Sequence, residues 1–277
     1  MVTVNAQVQQ ASTPVPFIED EFIMFGDSIT QRAWQTGGTG TFLADLYQRK
    51  LDIVNRGYSG YNTAWCLEVA KKLYPARAPK GYKFPKKRLV TIWLGANDAV
   101  LRNRPQHIDI DQFAANLKQL INIFRAHDAG TASGPPTQII LITPPPISVS
   151  LRAADLTSRF PDWKPTDMDR EPGRTAACAE RVKSVGAQEG LPVVDAWTAI
   201  TIAAEHSDRG LADFLADGLH LAPAGYQIVS NELLALLQAQ RPDLLPHNLP
   251  QHFPNWKDID PDHPEKSFPA TILHDEL

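Results

Sequence analysis

A chain of 277 residues, 43% apolar and 21% charged, can bury a full core as one large α/β domain more readily than as two small ones. A net charge of −4 with mixed signs and no basic stripe gives no electrostatic basis for a nucleic-acid or anionic-membrane partner. The two cysteines, Cys66 and Cys178, are too few for a disulfide framework and lack metal-ligand spacing, and no apolar run approaches the length of a membrane span.

Residues 1–16 carry neither a charged n-region nor an apolar h-region, so they are expected to form a short disordered leader on a soluble protein. The apolar run 22–25 (FIMF) then stops at Gly26-Asp27-Ser28, and a helix-compatible polar segment follows. This pattern predicts a buried strand feeding a tight turn. At the carboxyl end of a strand in an α/β sheet, a serine presents its hydroxyl to a cleft. The plainer alternative is that Asp27 or Ser28 only caps the next helix.

Further along, residues 42–50 are expected to be helical, 52–56 (DIVNR) a short strand, and the segment from Asn62 a helix capped by Asn62 or Thr63. Residues 77–87, with Pro79, Gly81 and Pro85, are expected to form a loop. The run 88–94 (RLVTIWL) is the strongest strand candidate and ends at Gly95-Ala96-Asn97-Asp98. Residues 111–127 place Phe113, Leu117, Leu120, Ile121 and Phe124 on one helical face. The run 138–143 (QIILIT) predicts another buried strand, closed by Pro144, Pro145 and Pro146.

Residues 148–172 break this alternation and are expected to form a long loop or lid beside the mouth of the sheet, or a surface decoration. Helix then returns over 174–190, strand over 191–196 (LPVVDA) and short helix over 197–205. A last helix starts at Pro223, with Tyr226, Val229, Leu233, Leu236 and Leu237 facing inward. Five strands separated by helices predict a three-layer α/β/α, flavodoxin-like fold on a five-stranded parallel sheet of order 2-1-3-4-5.

Asp217 and His220, three residues apart before the last helix, are close enough for one turn to set a carboxylate against the imidazole Nδ1 and leave Nε2 for a serine. Asp-x-x-His by itself is a weak signal, more often a surface turn with a partly exposed histidine. Gly60 and Asn97 both follow strands, and a glycine N–H or an asparagine amide can donate to a developing oxyanion. Singly, each could be a simple turn or a local Asx-turn.

Four segments, FGDSIT at 25–30, NRGYSGYNT at 55–63, WLGANDA at 93–99 and DGLHLAPAGY at 217–226, resemble the four blocks of the SGNH, or GDSL, hydrolases, in the family's order. The Gly-Gly-x-Gly segment at Gly37, Gly38 and Gly40 is similar to the branch of isoamyl acetate-hydrolysing esterases. The resemblance implies Ser28 as nucleophile, His220 as general base and Asp217 as its orienter. It also implies an oxyanion hole of the Ser28 and Gly60 N–H groups and the Asn97 amide, with no metal and no cofactor. Ile29 stands where the family usually has leucine, a volume-conserving change. The Gly-x-Ser-x-Gly elbow of ordinary α/β-hydrolases is absent around Ser28.

The expected function is therefore a serine esterase that cleaves small, short-chain (acetate-type) esters through an acyl-enzyme. Alternatives are a lysophospholipase, thioesterase or carbohydrate acetylesterase of the same family, or a non-catalytic binding protein on this fold. The implied organisation is a leader over 1–16, a hydrolase domain over 17–241 and a Pro-rich tail over 242–277, with oligomeric state left open. The tail cannot form a long helix or central strand, and Phe253 and Trp256 are candidates to dock it. Asp258, Asp260 and Asp262 have calcium-loop spacing, but His263 and Pro269 occupy the positions that need Gly and Glu. The terminal HDEL at 274–277 matches a lumenal retrieval signal, yet without a signal peptide the expectation is a cytoplasmic protein.

Overall fold

The computed structural model describes residues 17–131 and 134–268, so the leader over 1–16 and the terminal HDEL lie outside the described residues. Five parallel strands, β1 (Glu21–Gly26), β2 (Asp52–Gly57), β3 (Lys87–Trp93), β4 (Gln138–Ile142) and β5 (Val193–Val194), form one sheet in the order β2-β1-β3-β4-β5. The three-layer α/β fold and its strand order agree with the sequence expectation.

Alternation along the strands builds two cores, one on each face of the sheet. Phe22 and Met24 of β1, Leu89 and Trp93 of β3, and Ile140 and Ile142 of β4 face one layer. There they meet α1 (Ser28–Arg32), α2 (Thr39–Leu46), α7 (Ala196–Glu205) and α8 (Pro223–Gln240) through residues such as Ile29, Leu43, Ile200 and Leu233. Ile23 and Phe25, Val90 and Ile92, and Ile139 and Leu141 face α3 (Thr63–Leu73), α4 (Ile110–Thr131) and α6 (Pro172–Glu189) on the other side. Cys66 on α3 and Cys178 on α6 are buried free thiols in this second layer. Burial pushes Cys178 up to about 12 and raises Cys66 further.

The elements end where local chemistry stops them. Asn62 caps α3 by accepting from the Trp65 N–H at 3.0 Å. Asp195 ends β5 by capping α7, accepting from the Thr198 N–H at 3.2 Å. That cap, and Pro192 with no N–H to donate, shorten the strand expected over 191–196 to two residues.

The 148–172 segment departs most from expectation. Rather than being irregular throughout, it holds α5 (Val149–Arg159), whose N-terminus is capped by the Ser148 hydroxyl accepting from Leu151 N–H at 3.4 Å. Only Arg152 and Leu156 of this helix are buried. So narrow an inward stripe, one position of it an arginine, does not register as amphipathic periodicity.

The tail is docked, though not by both expected aromatics. Leu244, Leu245 and Leu249 join the first core, and the Tyr47 hydroxyl and Lys50 Nζ donate to the Leu244 and Leu249 carbonyls at 2.9 and 2.7 Å. Phe253 stands edge-on to Phe17, with ring centroids 5.1 Å apart. Trp256 is 78% exposed, and the ring contact it makes among the described residues is with its neighbour Lys257, whose Nζ lies 5.7 Å from the ring centroid.

Candidate active site

Strand register puts the site at one edge of the sheet. Gly26 of β1 is level with Gly57 of β2 and Trp93 of β3, so the turns leaving these three strands emerge side by side. They carry Ser28, Gly60 and Asn97, respectively. Burial of Phe22 through Phe25 anchors the first turn, and the Asp27 carboxylate caps α1 by accepting from Ile29 N–H at 2.9 Å. Capping is the plain alternative for Asp27 or Ser28, and Asp27 takes that task while Ser28 opens the helix.

Asp217 and His220 come from the loop before α8. An isolated bridge between Leu215 and Leu221, and Ala216 N–H donating to the His220 carbonyl at 2.8 Å, close this loop into a tight turn. Within it, Asp217 Oδ1 accepts from the Leu219 and His220 N–H groups at 3.0 and 2.8 Å. Its other oxygen is 2.6 Å from His220 Nδ1, and His220 Nε2 is 2.8 Å from Ser28 Oγ. Asp217, His220 and Ser28 therefore form one continuous hydrogen-bonded line between residues 192 apart in sequence.

With Asp217 as acceptor, the imidazole carries its proton on Nδ1 and turns an unprotonated Nε2 to the serine hydroxyl. Burial alone would raise the Asp217 carboxyl. The hydrogen bonds from the His220 side chain and backbone and from the Leu219 N–H outweigh it and hold the group well below the usual carboxylate range. Arg32 of α1, 3.6 Å from Asp217, lies at the exposed end of the line.

Gly60 sits at φ +81°, a left-handed conformation that favours glycine, and its carbonyl accepts from Gln106 Nε2 at 2.6 Å. The Asn97 Nδ2 donates to the Tyr61 carbonyl at 2.9 Å, which ties the third turn to the second. Asp98 beside it accepts from the Thr63 N–H and hydroxyl at 3.0 and 2.5 Å, anchoring the start of α3. Burial raises Asp98 to about 6. Ser28, Gly60 and Asn97 thus leave neighbouring strand ends on this edge, and His220 and Asp217 reach Ser28 by hydrogen bonds, so a hydroxyl, an imidazole and candidate donors for acyl transfer lie on the same side of the sheet.

Sequence reasoning missed Arg170. It is 4% exposed, and its guanidinium donates to the Ala96 carbonyl at 3.2 Å, to Asn97 Oδ1 at 3.0 Å and to the Asp169 carboxylate. Arg152 of α5 donates to the same Asp169 oxygen at 3.0 Å. No local pattern marks one arginine among the charges of 148–172 as buried. Among the described residues, no group of three or more His, Cys, Asp or Glu gathers as a metal site, and no helix is long and apolar enough to cross a membrane.

Residues 24–228 match the family model of the GDSL-like lipase/acylhydrolase family. The isoamyl acetate-hydrolyzing esterase 1 homolog of Rattus norvegicus is 35% identical over 248 residues, covering 89% of this chain and 90% of the relative. A GDSL esterase/lipase of Arabidopsis thaliana is 32% identical over 256 residues, covering 91% and 99%. Among solved structures, the lipase/acylhydrolase from Enterococcus faecalis superposes with a TM-score of 0.54 at 25% identity, over 80% of this chain and 96% of its own. An acetylxylan esterase from Geobacillus stearothermophilus shares the fold, with a TM-score of 0.53 at 18% identity, over 79% of this chain and 94% of its own.

Proposed function

Because the chain belongs to the GDSL-like lipase/acylhydrolase family and is a hydrolase of esterase type, we propose that it cleaves short-chain, acetate-type esters through an acyl-enzyme on Ser28. The observation that carries the reading is the line of 2.6 and 2.8 Å contacts from Asp217 through His220 to Ser28 Oγ. The name of the rat relative adds a substrate class, an acetate ester of a small branched alcohol.

In the proposed reaction, His220 Nε2 takes the Ser28 proton as Oγ attacks the ester carbonyl, and Asp217 holds the ring and offsets its new charge. The tetrahedral oxyanion is met by the Ser28 and Gly60 N–H groups and by the Asn97 amide hydrogen not used by Tyr61. Collapse breaks the acyl–oxygen bond, and His220 returns the proton to the departing alcohol. Water, deprotonated by the same nitrogen, then attacks the acyl-serine and releases the acid with Ser28 restored. Each of these proton transfers uses one nitrogen, whose state the Asp217 contact sets.

A chromogenic acetate ester tests the reading. Expected are a burst of leaving group close to the enzyme concentration, an acetyl adduct on the peptide carrying Ser28, and loss of both in Ser28→Ala. Turnover undiminished in folded Ser28→Ala, or no turnover of any ester in a panel of acyl lengths and leaving groups, would remove it. A panel optimum at lysophospholipids, thioesters or acetylated sugars would keep the chemistry and move the substrate.

A further inference from the structure

We infer that Arg170 is a positioning residue for the oxyanion hole, orienting the Asn97 amide through a buried contact made from outside the four motif segments. The inference rests on the reading of Asn97 as an oxyanion donor. An asparagine side chain can flip end for end with little change in shape, so which end faces the reacting atoms is set by its partners. Here the two partners cannot exchange roles. Arg170 has only donors to offer, so the end 3.0 Å from its Nη2 is the amide oxygen. Tyr61 offers a carbonyl, so the end 2.9 Å from it is the amide NH₂. A flip would set oxygen against carbonyl and NH₂ against guanidinium, leaving both contacts repulsive.

The guanidinium is itself fixed. Its Nε donates to the Ala96 carbonyl at 3.2 Å, and Asp169 binds a second edge. Asp169 is in turn gripped by Arg152, and the Leu101 N–H donates to the Asp169 carbonyl at 2.9 Å. A planar fork suits three acceptors in fixed directions, which a lysine ammonium cannot match from one point. Residues 148–170 therefore do more than cover the sheet edge: their last residue sets the direction of a donor in the site. Arg170 neither touches the reacting atoms nor needs to.

A double-substitution cycle decides it, with kcat and KM for an acetate ester measured per folded molecule and melting temperature followed in parallel. Arg170→Met should lower kcat roughly tenfold with KM changed little, because the misdirected donor acts in the transition state. Arg170→Lys should fall between it and the native chain. In an Asn97→Ala background, Arg170→Met should add no further loss of turnover, whatever it does to stability. If Arg170→Met slows turnover by the same factor with and without Asn97, or leaves kcat unchanged, the positioning role is wrong. If Asn97→Ala alone leaves kcat unchanged, the oxyanion reading itself fails and takes this inference with it. Should Arg170→Met not fold, the same cycle with Arg170→Lys separates the same outcomes.

Discussion

Gly218 lies so close to Arg152 that a Cβ placed on it would stand 2.4 Å from the Arg152 backbone nitrogen and 2.5 Å from the Ser148 carbonyl oxygen. The turn that carries Asp217 and His220 is thus packed backbone to backbone against the start of α5. Gly218 also has φ +81°, and its carbonyl accepts from Ser148 N–H at 3.0 Å. Gly218→Ala must displace either the turn or the helix. The expected outcome is a loss of stability on the order of 1–3 kcal/mol together with a fall in kcat of roughly tenfold or more. Urea unfolding and active-site-titrated kinetics check it, and an unchanged kcat would show that the turn holds its aim without α5.

Ser28→Ala and His220→Ala should each lower kcat on the order of 10³-fold or more while the fold persists. Asp217→Asn should be severe but milder. The amide still occupies the site, yet it can present NH₂ to Nδ1 and so favour the wrong imidazole tautomer. Far-ultraviolet circular dichroism with steady-state kinetics on the three variants gives the comparison.

Two carboxyls near Ser28 should give stability opposite slopes with pH. Burial, opposed by the Ile29 N–H bond and aided by the Asp98 charge, pushes Asp27 up to about 7. Folded protein then holds a proton that the unfolded chain releases above about 4. Stability contributed by this group therefore declines as pH rises from about 4 to about 7. Asp217, held low, contributes stability that is present above its unfolded value and is lost only as pH falls below that. Asp27→Asn keeps an oxygen for Ile29 N–H but does not titrate. Its melting temperature relative to the native chain should rise between pH 5 and pH 8, and a constant difference would mean that Asp27 is already ionised at pH 5.

How legible this was in the sequence depended on the kind of signal. Strands β1, β3 and β4 are runs of apolar residues long enough to be read directly, and the turns after β1 and β3 carried the serine and asparagine of the site, while the glycine followed the less apolar β2 run. The turn at Asp217 to His220 was legible because the contact is local: three residues suffice for the carboxylate to reach the ring. What escaped depended on tertiary context. Arg152 and Arg170 are buried because Asp169 lies between them, and only the fold brings the second arginine to Asn97. In the tail, the aromatics drew attention, while Leu244, Leu245 and Leu249, set among prolines without helical or strand period, are the residues that join the first core.

That division of labour in the tail is measurable. Leu244, 1% exposed, should cost about 2–5 kcal/mol when replaced by alanine. Trp256→Ala should stay within about 0.5 kcal/mol of the native chain. Truncation after Gln240 should destabilise at least as much as Leu244→Ala, since it also strips the partners of Tyr47 and Lys50. A truncated chain as stable as the full one in urea would show the tail to be ornamental.

The two thiols described in the second core give the chain a built-in reporter. Cys66 on α3 and Cys178 on α6 flank α4 in the same layer, and these are the only cysteines in the sequence. Buried and held protonated, neither reacts with an alkylating reagent until its helix lifts away. Mass-resolved alkylation of the untouched protein therefore counts openings of α3 and α6 separately. The ratio of the two rates tells whether that layer comes off the sheet one helix at a time or all at once.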